Sequence, residues 1–156
     1  MPSTDRFSSG PLLLAGLAAF AGVGIALWTQ LSLEMLPCAW CVFQRLLYVV
    51  FGVLALAGAA LRSRLLAGLA MLTALGGLAA AVWQQGWASK SLACAFTFAD
   101  KVMMKTGLDE ALPVLFKATA SCADASAPLA GLPYAVWSML LFSLLAILAG
   151  RVLPRR

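Results

Sequence analysis

Two cysteines and one arginine carry the most chemistry in this chain. Cys38 and Cys41 form a Cys-x-x-Cys pair within Pro37-Cys38-Ala39-Trp40-Cys41-Val42-Phe43-Gln44-Arg45, and Arg45 follows four residues after the second cysteine. A disulfide across two intervening residues closes almost no loop and therefore stabilises little, so such a pair is better suited to thiol–disulfide exchange than to stapling. If residues 38–45 are helical, Cys38, Cys41 and Arg45 share one face at i, i+3 and i+7. A buried cation on that stripe favours the Cys41 thiolate. It can also donate hydrogen bonds to a carbonyl that gains negative charge on reduction. The competing reading of Arg45 is an interfacial arginine that lays its stem on apolar surface and keeps its head in water.

Cys94 and Cys122 complete a set of four cysteines, an even number that permits two disulfides. They stand singly, about 28 residues apart. One reading is a staple closing a long loop, worth ~3 kcal/mol by the chain-entropy model. The other is exchange with the first pair, which lies on the same side of the chain's predicted spans. A four-thiolate zinc site is a third possibility, disfavoured because only one Cys-x-x-Cys is present. The absence of histidine removes the commonest metal ligand and the commonest general base together.

These residues need a scaffold, and the composition says which kind. Of 156 residues, 63% are hydrophobic and 11% charged, with a mean hydropathy of +0.95. That balance reads as an integral membrane protein. The net charge of +5 is scattered, and no Lys/Arg run suggests nucleic acid. Four apolar segments are predicted as helices, at about 11–33, 42–61, 65–84 and 134–148, in a single membrane domain over 1–156. The redox loops are 34–41 and 85–133. The first apolar run is too long for a signal-peptide core, and no small-residue cleavage site follows it, so it is read as a retained helix. The predicted fold is an all-α integral membrane protein, a four-transmembrane-helix bundle with a long second extracytoplasmic loop. Small residues four apart, such as Gly76 and Ala80, allow close helix packing in lipid.

Orientation follows from the cations. Arg6, Arg62, Arg64, Arg151, Arg155 and Arg156 lie at the N-terminus, the turn between the second and third segments, and the C-terminus, which four spans bring to one side. Lys90, Lys101, Lys105 and Lys117 lie in the long loop, balanced by Asp100, Asp109, Glu110 and Asp124. Short-loop arginines place their side in the cytoplasm. All four cysteines then face an oxidising compartment, where disulfides persist.

In the long loop, Phe96, Phe98, Val102, Met103 and Met104 alternate with Asp100, Lys101 and Lys105. They fit either an amphipathic helix on the membrane surface or a loop whose apolar residues cover the helix ends. Pro113, Pro128 and Pro133 divide the segment into short pieces. Trp40 and Phe43 are read as interface anchors and Glu34 as a solvated loop charge. Gln44 and Gln85 are candidates for hydrogen bonds to a polar cofactor head or between helices.

Taken together, Pro37-Cys38-x-x-Cys41, Gln44-Arg45, Cys94, Ser121-Cys122-Ala123, Gly131-Leu132-Pro133 and Trp137 resemble the DsbB family of bacterial inner-membrane, quinone-dependent thiol oxidases. The resemblance covers nearly the whole chain. It implies that Cys38, Cys41, Cys94 and Cys122 are catalytic, that Arg45 binds the quinone, and that no metal is used. It also implies a pairing and a path. A DsbA-like periplasmic thiol oxidase attacks the Cys94–Cys122 disulfide at Cys94, and released Cys122 attacks Cys38. Cys41 becomes the thiolate beside the quinone, and electrons pass to ubiquinone or menaquinone in the bilayer. The implied location is the bacterial inner membrane, multi-pass, with both termini cytoplasmic and the cysteines periplasmic. Ala127-Pro128-Leu129-Ala130 is less bulky and aromatic than in many such proteins, which bears on partner contacts. Two other classes stand beside this one: a membrane scaffold with two structural disulfides, and a specialised DsbB-like oxidase for a dedicated partner. A quinone reductase of the vitamin-K-epoxide type places its Cys-x-x-Cys on a late helix, whereas here the pair precedes the second.

Overall fold

The computed structural model describes residues 8–90, 97–126 and 128–153. Four long helices carry the fold: α1 (Gly10–Ser32), α2 (Ala39–Ala60), α3 (Arg64–Gly86) and α7 (Tyr134–Gly150). The first three are long and apolar enough to cross a membrane, and α7 is a shorter apolar helix of 17 residues. At 1.5 Å per residue it reaches about 25 Å, close to the thickness of a hydrocarbon core. The all-α membrane fold expected from the sequence is the fold observed. Between α3 and α7 lie three short helices, α4 (Phe98–Thr106), α5 (Leu108–Ala111) and α6 (Pro113–Phe116), and a two-residue-per-strand hairpin, β1 (Pro128–Leu129) and β2 (Leu132–Pro133).

Local chemistry sets the boundaries. Pro11 sits in the first turn of α1, where its missing N–H costs nothing. Ser63 caps α3 by accepting from the Leu66 N–H. Thr97 and Asp100 form a reciprocal capping box at the start of α4, and Gly107 ends it with a φ of +64°. The hairpin turns through Ala130 (φ +52°) and Gly131 (φ +82°), the conformation a tight two-residue hairpin requires. Trp137 Nε1 donates to Leu129 O at 3.0 Å and ties the hairpin to α7.

The core is dominated by alanine. Ala15, Ala19, Ala55, Ala59, Ala67, Ala70, Ala74 and Ala149 are buried with Leu12, Phe51, Phe142 and Leu145. Small side chains let helices approach closely where lipid supplies no hydrophobic drive. On α3 the glycine that packs closely is Gly77, not Gly76: a Cβ on Gly77 would collide with the Phe142 ring, whereas Gly76 is exposed with nothing near it. The helical phase of α3 decides this, since Ala70, Ala74, Gly77 and Ala81 share its buried stripe.

The segment between α3 and α7 folds over the mouth of the bundle. Met103 of α4 and Phe116 of α6 are buried against Val42 of α2, so apolar loop residues do cover a helix end. The apolar residues of α4 do not all share that face, because Phe98 and Met104 point outward. Phe96 lies outside the described residues.

Candidate functional site

Helix α2 begins earlier than expected. Cys38 is its N-cap, with extended backbone, and its carbonyl accepts the first helical hydrogen bond, from the Val42 N–H at 3.0 Å. Cys41 therefore lies in the first turn of α2, not in the preceding loop. Pro37 supplies the anchor for this start: its carbonyl accepts from the Thr119 and Ala120 N–H groups at 3.0 and 3.2 Å. Those two bonds carry the 117–123 segment onto the mouth of α2.

The two sulfurs of the pair are 3.1 Å apart as free thiols, Cys38 fully buried and Cys41 partly so. Cys122, also a free thiol, packs against the same cluster. The Cys38 thiol is pushed up by hydrogen bonding to Cys122, then to Cys41, and by burial. The Cys122 thiol is lowered, chiefly by its hydrogen bond from Cys38. Of these two, Cys38 holds its proton the more tightly. Cys94 lies outside the described residues, and with it the Cys94–Cys122 pairing.

Arg45 is buried, 5% exposed, which excludes the reading of a snorkelling interfacial arginine. Its Nη1 donates to Gln30 Oε1 at 2.6 Å and to Leu115 O at 3.2 Å, and its Nη2 donates to Ala26 O at 3.3 Å. Gln30 in turn donates to Val114 O at 3.3 Å. The arginine therefore ties α1, α2 and α6 together as well as standing one turn from Cys41. Trp40 and Phe43, expected at the membrane interface, belong to the packing of the site. Trp40 is buried and makes an edge contact with Phe43, which makes another with Phe98. Glu34 is exposed, as a loop charge should be.

The glutamine of α3 that faces the dithiol is the neighbour of Gln85. Gln85 is half-buried, and its backbone carbonyl accepts from the Ser89 hydroxyl. Its neighbour Gln84 is buried and faces the dithiol, donating Nε2–H to Cys41 Sγ at 3.2 Å, with Cys38 Sγ at 3.6 Å. Gln44 donates to Gln84 Oε1 at 2.6 Å. Continuing the Ala70, Ala74, Gly77, Ala81 stripe by three residues reaches Gln84, which is the signal the sequence held.

Two cavities meet at this point. One, of about 260 Å³, opens among the loop residues and is lined by Glu34, Pro37, Cys41, Arg45, Asp124 and Tyr134. The other, of about 480 Å³, runs between α1 and α7. Its walls are apolar, with Gly22, Ile25, Leu140, Leu141 and Leu144 among them, and Cys41, Gln44, Arg45 and Tyr48 line its inner side. Ile25, Leu140 and Leu144 are about half-exposed on the outer surface of the bundle, so this cavity borders the surface that lipid would cover. Apolar walls with a few convergent polar groups are what a small-molecule site presents.

The DsbB family profile, disulfide bond formation protein DsbB, matches residues 8–152 of the chain. The disulfide bond formation protein B of Dechloromonas aromatica is 36% identical over 135 residues, covering 82% of this chain and 80% of that protein. The corresponding protein of Nitrosospira multiformis is 35% identical over 152 residues, covering 91% and 89%. Disulfide bond formation protein B 2 of Burkholderia lata is 33% identical over 142 residues, covering 89% and 84%. This chain belongs to the DsbB family. It is a multi-pass membrane protein of disulfide bond formation, and the oxidoreductase chemistry of that family fits a buried dithiol at a helix mouth.

Proposed function

We propose that the chain reoxidises a DsbA-like periplasmic thiol oxidase and delivers the electrons to a membrane quinone, ubiquinone or menaquinone. The observation that carries this reading is the position of Cys41, which lines both the loop-side cavity and the apolar cavity between α1 and α7. A quinone bound in the apolar cavity supplies an acceptor for two electrons and two protons. The residues there fit it: an isoprenoid-compatible wall, with Arg45, Gln44 and Tyr48 at the polar end.

The chain's own residues divide the work. Cys94 and Cys122 are the outer pair in this proposal, Cys94 taking the attack of the partner thiolate and Cys122 leaving. The packing of Cys122 against Cys38 supports its next attack there. That attack forms a Cys122–Cys38 bond, and Cys41 departs as the thiolate. Negative charge on Cys41 is favoured by the N-terminus of α2 and by the guanidinium of Arg45. The partner's second thiol completes its own disulfide and frees Cys94, which attacks Cys122, re-forms Cys94–Cys122 and releases Cys38 as a thiol. Oxidation of the Cys38 and Cys41 thiols to their disulfide then gives up two electrons and two protons, which a bound quinone would accept.

The proposed setting is the bacterial inner membrane, with both termini cytoplasmic and the cysteines periplasmic, as the arginine distribution indicates. Alkaline phosphatase fused after residue 64 should be inactive, and fused near residue 110 active; the reverse pattern overturns the orientation. The function is tested by mixing the purified protein with a reduced DsbA-type protein and a soluble quinone analogue. Quinone reduction that requires all four cysteines supports the proposal. Partner and quinone that both stay unchanged refute it and favour a scaffold with structural disulfides.

A further inference from the structure

One amide, Gln84, sits against the dithiol without a part in the electron path above, and a second, Gln44, which also lines the apolar cavity, is bonded to it. Gln84, near the end of α3, and Gln44, on α2, are each 4% exposed. The bond from Gln44 Nε2 to Gln84 Oε1, at 2.6 Å, uses the Gln84 carbonyl and turns its NH₂ toward the sulfurs. That NH₂ donates to Cys41 Sγ at 3.2 Å and lies 3.6 Å from Cys38 Sγ.

The match of donor to acceptor is informative. A primary amide buried in an apolar bundle is costly unless its groups are bonded. A neutral thiol sulfur is a weak acceptor and repays little of that cost. A thiolate is a much stronger one, because hydrogen bonds to charged groups are roughly twice as strong as neutral ones. Arg45 directs three of its N–H groups to protein oxygens, on α1 and α6. Gln84 approaches from the α3 side and directs its donors to sulfur.

We infer that Gln84, oriented by Gln44, is a positioning residue that holds Cys41 Sγ beside Cys38 Sγ and stabilises negative charge on Cys41 when the pair is reduced. It thereby sets how strong an oxidant the Cys38–Cys41 disulfide is. This rests on the proposed redox role of that pair. The balance is simple. Two electrons from two thiols of a reductant, such as glutathione, break the Cys38–Cys41 bond and leave the reductant as its disulfide. Of the two protons released, one stays on Cys38 and the other goes to solvent, leaving Cys41 as thiolate. An N–H donor to that thiolate favours the reduced pair, so its loss makes the disulfide a weaker oxidant.

The test uses the full-length protein in a Cys94→Ser/Cys122→Ser background, so that a single dithiol equilibrates with a glutathione buffer. Gln84→Met should lower the equilibrium constant for reduction about tenfold, a shift of about 30 mV to more negative potential. Gln84→Glu keeps the size and the bond from Gln44 but turns an oxygen toward Cys41, and should lower it further. Gln44→Met leaves Gln84 in place without its anchor and should give a smaller drop in the same direction, which keeps the idea testable if Gln84 variants fail to insert. The alkylation rate of Cys41 at fixed neutral pH, read by peptide mapping, should fall in the same order while thermal unfolding does not follow it. If all three variants equilibrate and alkylate as the parent does, Gln84 is a helix contact only. If the parent pair itself does not exchange with glutathione, the redox reading falls and this inference with it.

Discussion

The two ends of the four-helix bundle are built from different residues. Where α2 ends and α3 begins, the buried side chains are Leu12, Ala15, Ala59, Ala67, Ala70, Leu145 and Ala149, none of them polar. Where α2 begins, the buried or half-buried set includes Thr29, Gln30, Gln44, Arg45, Gln84 and Tyr134, arranged around three cysteines. Lipid is as apolar as leucine, so the first end is held by close packing of small residues. The second end carries groups that are costly in a membrane unless every donor finds an acceptor. A bundle built for stability alone has no reason to contain it. Among the described residues polar burial gathers at one end, which marks where the work is done, and the apolar end is scaffold.

Substitutions at the two ends should separate activity from stability. The largest effect is expected from Cys41→Ser, which should reduce quinone-dependent oxidation of a DsbA-type partner to background while leaving the unfolding transition close to that of the parent. Next comes Arg45→Met. A charge-assisted hydrogen bond is worth about 1.5–3 kcal/mol, so kcat/KM for quinone should drop on the order of ten- to a hundredfold. Because Arg45 also bonds Gln30, Leu115 and Ala26, this variant should unfold at lower temperature as well. Lysine should restore only part of either loss, since it lacks the planar fork. Loss of stability with unchanged quinone kinetics would confine Arg45 to the scaffold.

At the opposite end, Leu12→Ala should give the converse. Leu12 is fully buried, and the cavity left behind should cost toward the lower part of roughly 2–5 kcal/mol, with turnover per folded molecule unchanged. A matching loss of turnover would show that the two ends are not separable. The smallest effect concerns order of reactivity. Cys122 is half-buried with its thiol lowered, and Cys38 is buried with its thiol raised. As pH rises from acid, the reduced protein should alkylate at Cys122 before Cys38, by at least severalfold in rate, as read by mass spectrometry. Equal rates across that range would remove the proposed direction of attack.

Much of this contrast was legible in the sequence. The apolar runs announced the long helices, because lipid demands continuous apolar length. Cys38, Cys41 and Arg45 announced the working end by type and spacing. What was missed depended on phase. Gly77 and Gln84 lie on the buried stripe of α3, whereas their neighbours Gly76 and Gln85 lie off it. In an all-apolar helix little periodicity marks which side faces inward, so neighbouring positions look alike. The start of α2 was also obscured, because an extended cysteine at an N-cap and a cysteine in a loop read the same. Trp40 was assigned to the interface by residue type, yet the 98–116 segment folds over it. The structural role of Arg45 could not be foreseen either, since its acceptors include backbone carbonyls of Ala26 and Leu115.

The central claim is that Cys38–Cys41 is the junction between sulfur chemistry and the quinone cavity. It is tested most directly by an anaerobic single turnover. Protein reduced at Cys38 and Cys41, in the Cys94→Ser/Cys122→Ser background, is mixed with one equivalent of a soluble quinone analogue. Quinone absorbance and free thiols are then followed together, with peptide mapping of the product. The account predicts one quinone consumed for each pair, with a new Cys38–Cys41 disulfide and loss of both thiols at the same rate. Quinone that persists beside a fully reduced Cys38–Cys41 pair would contradict it.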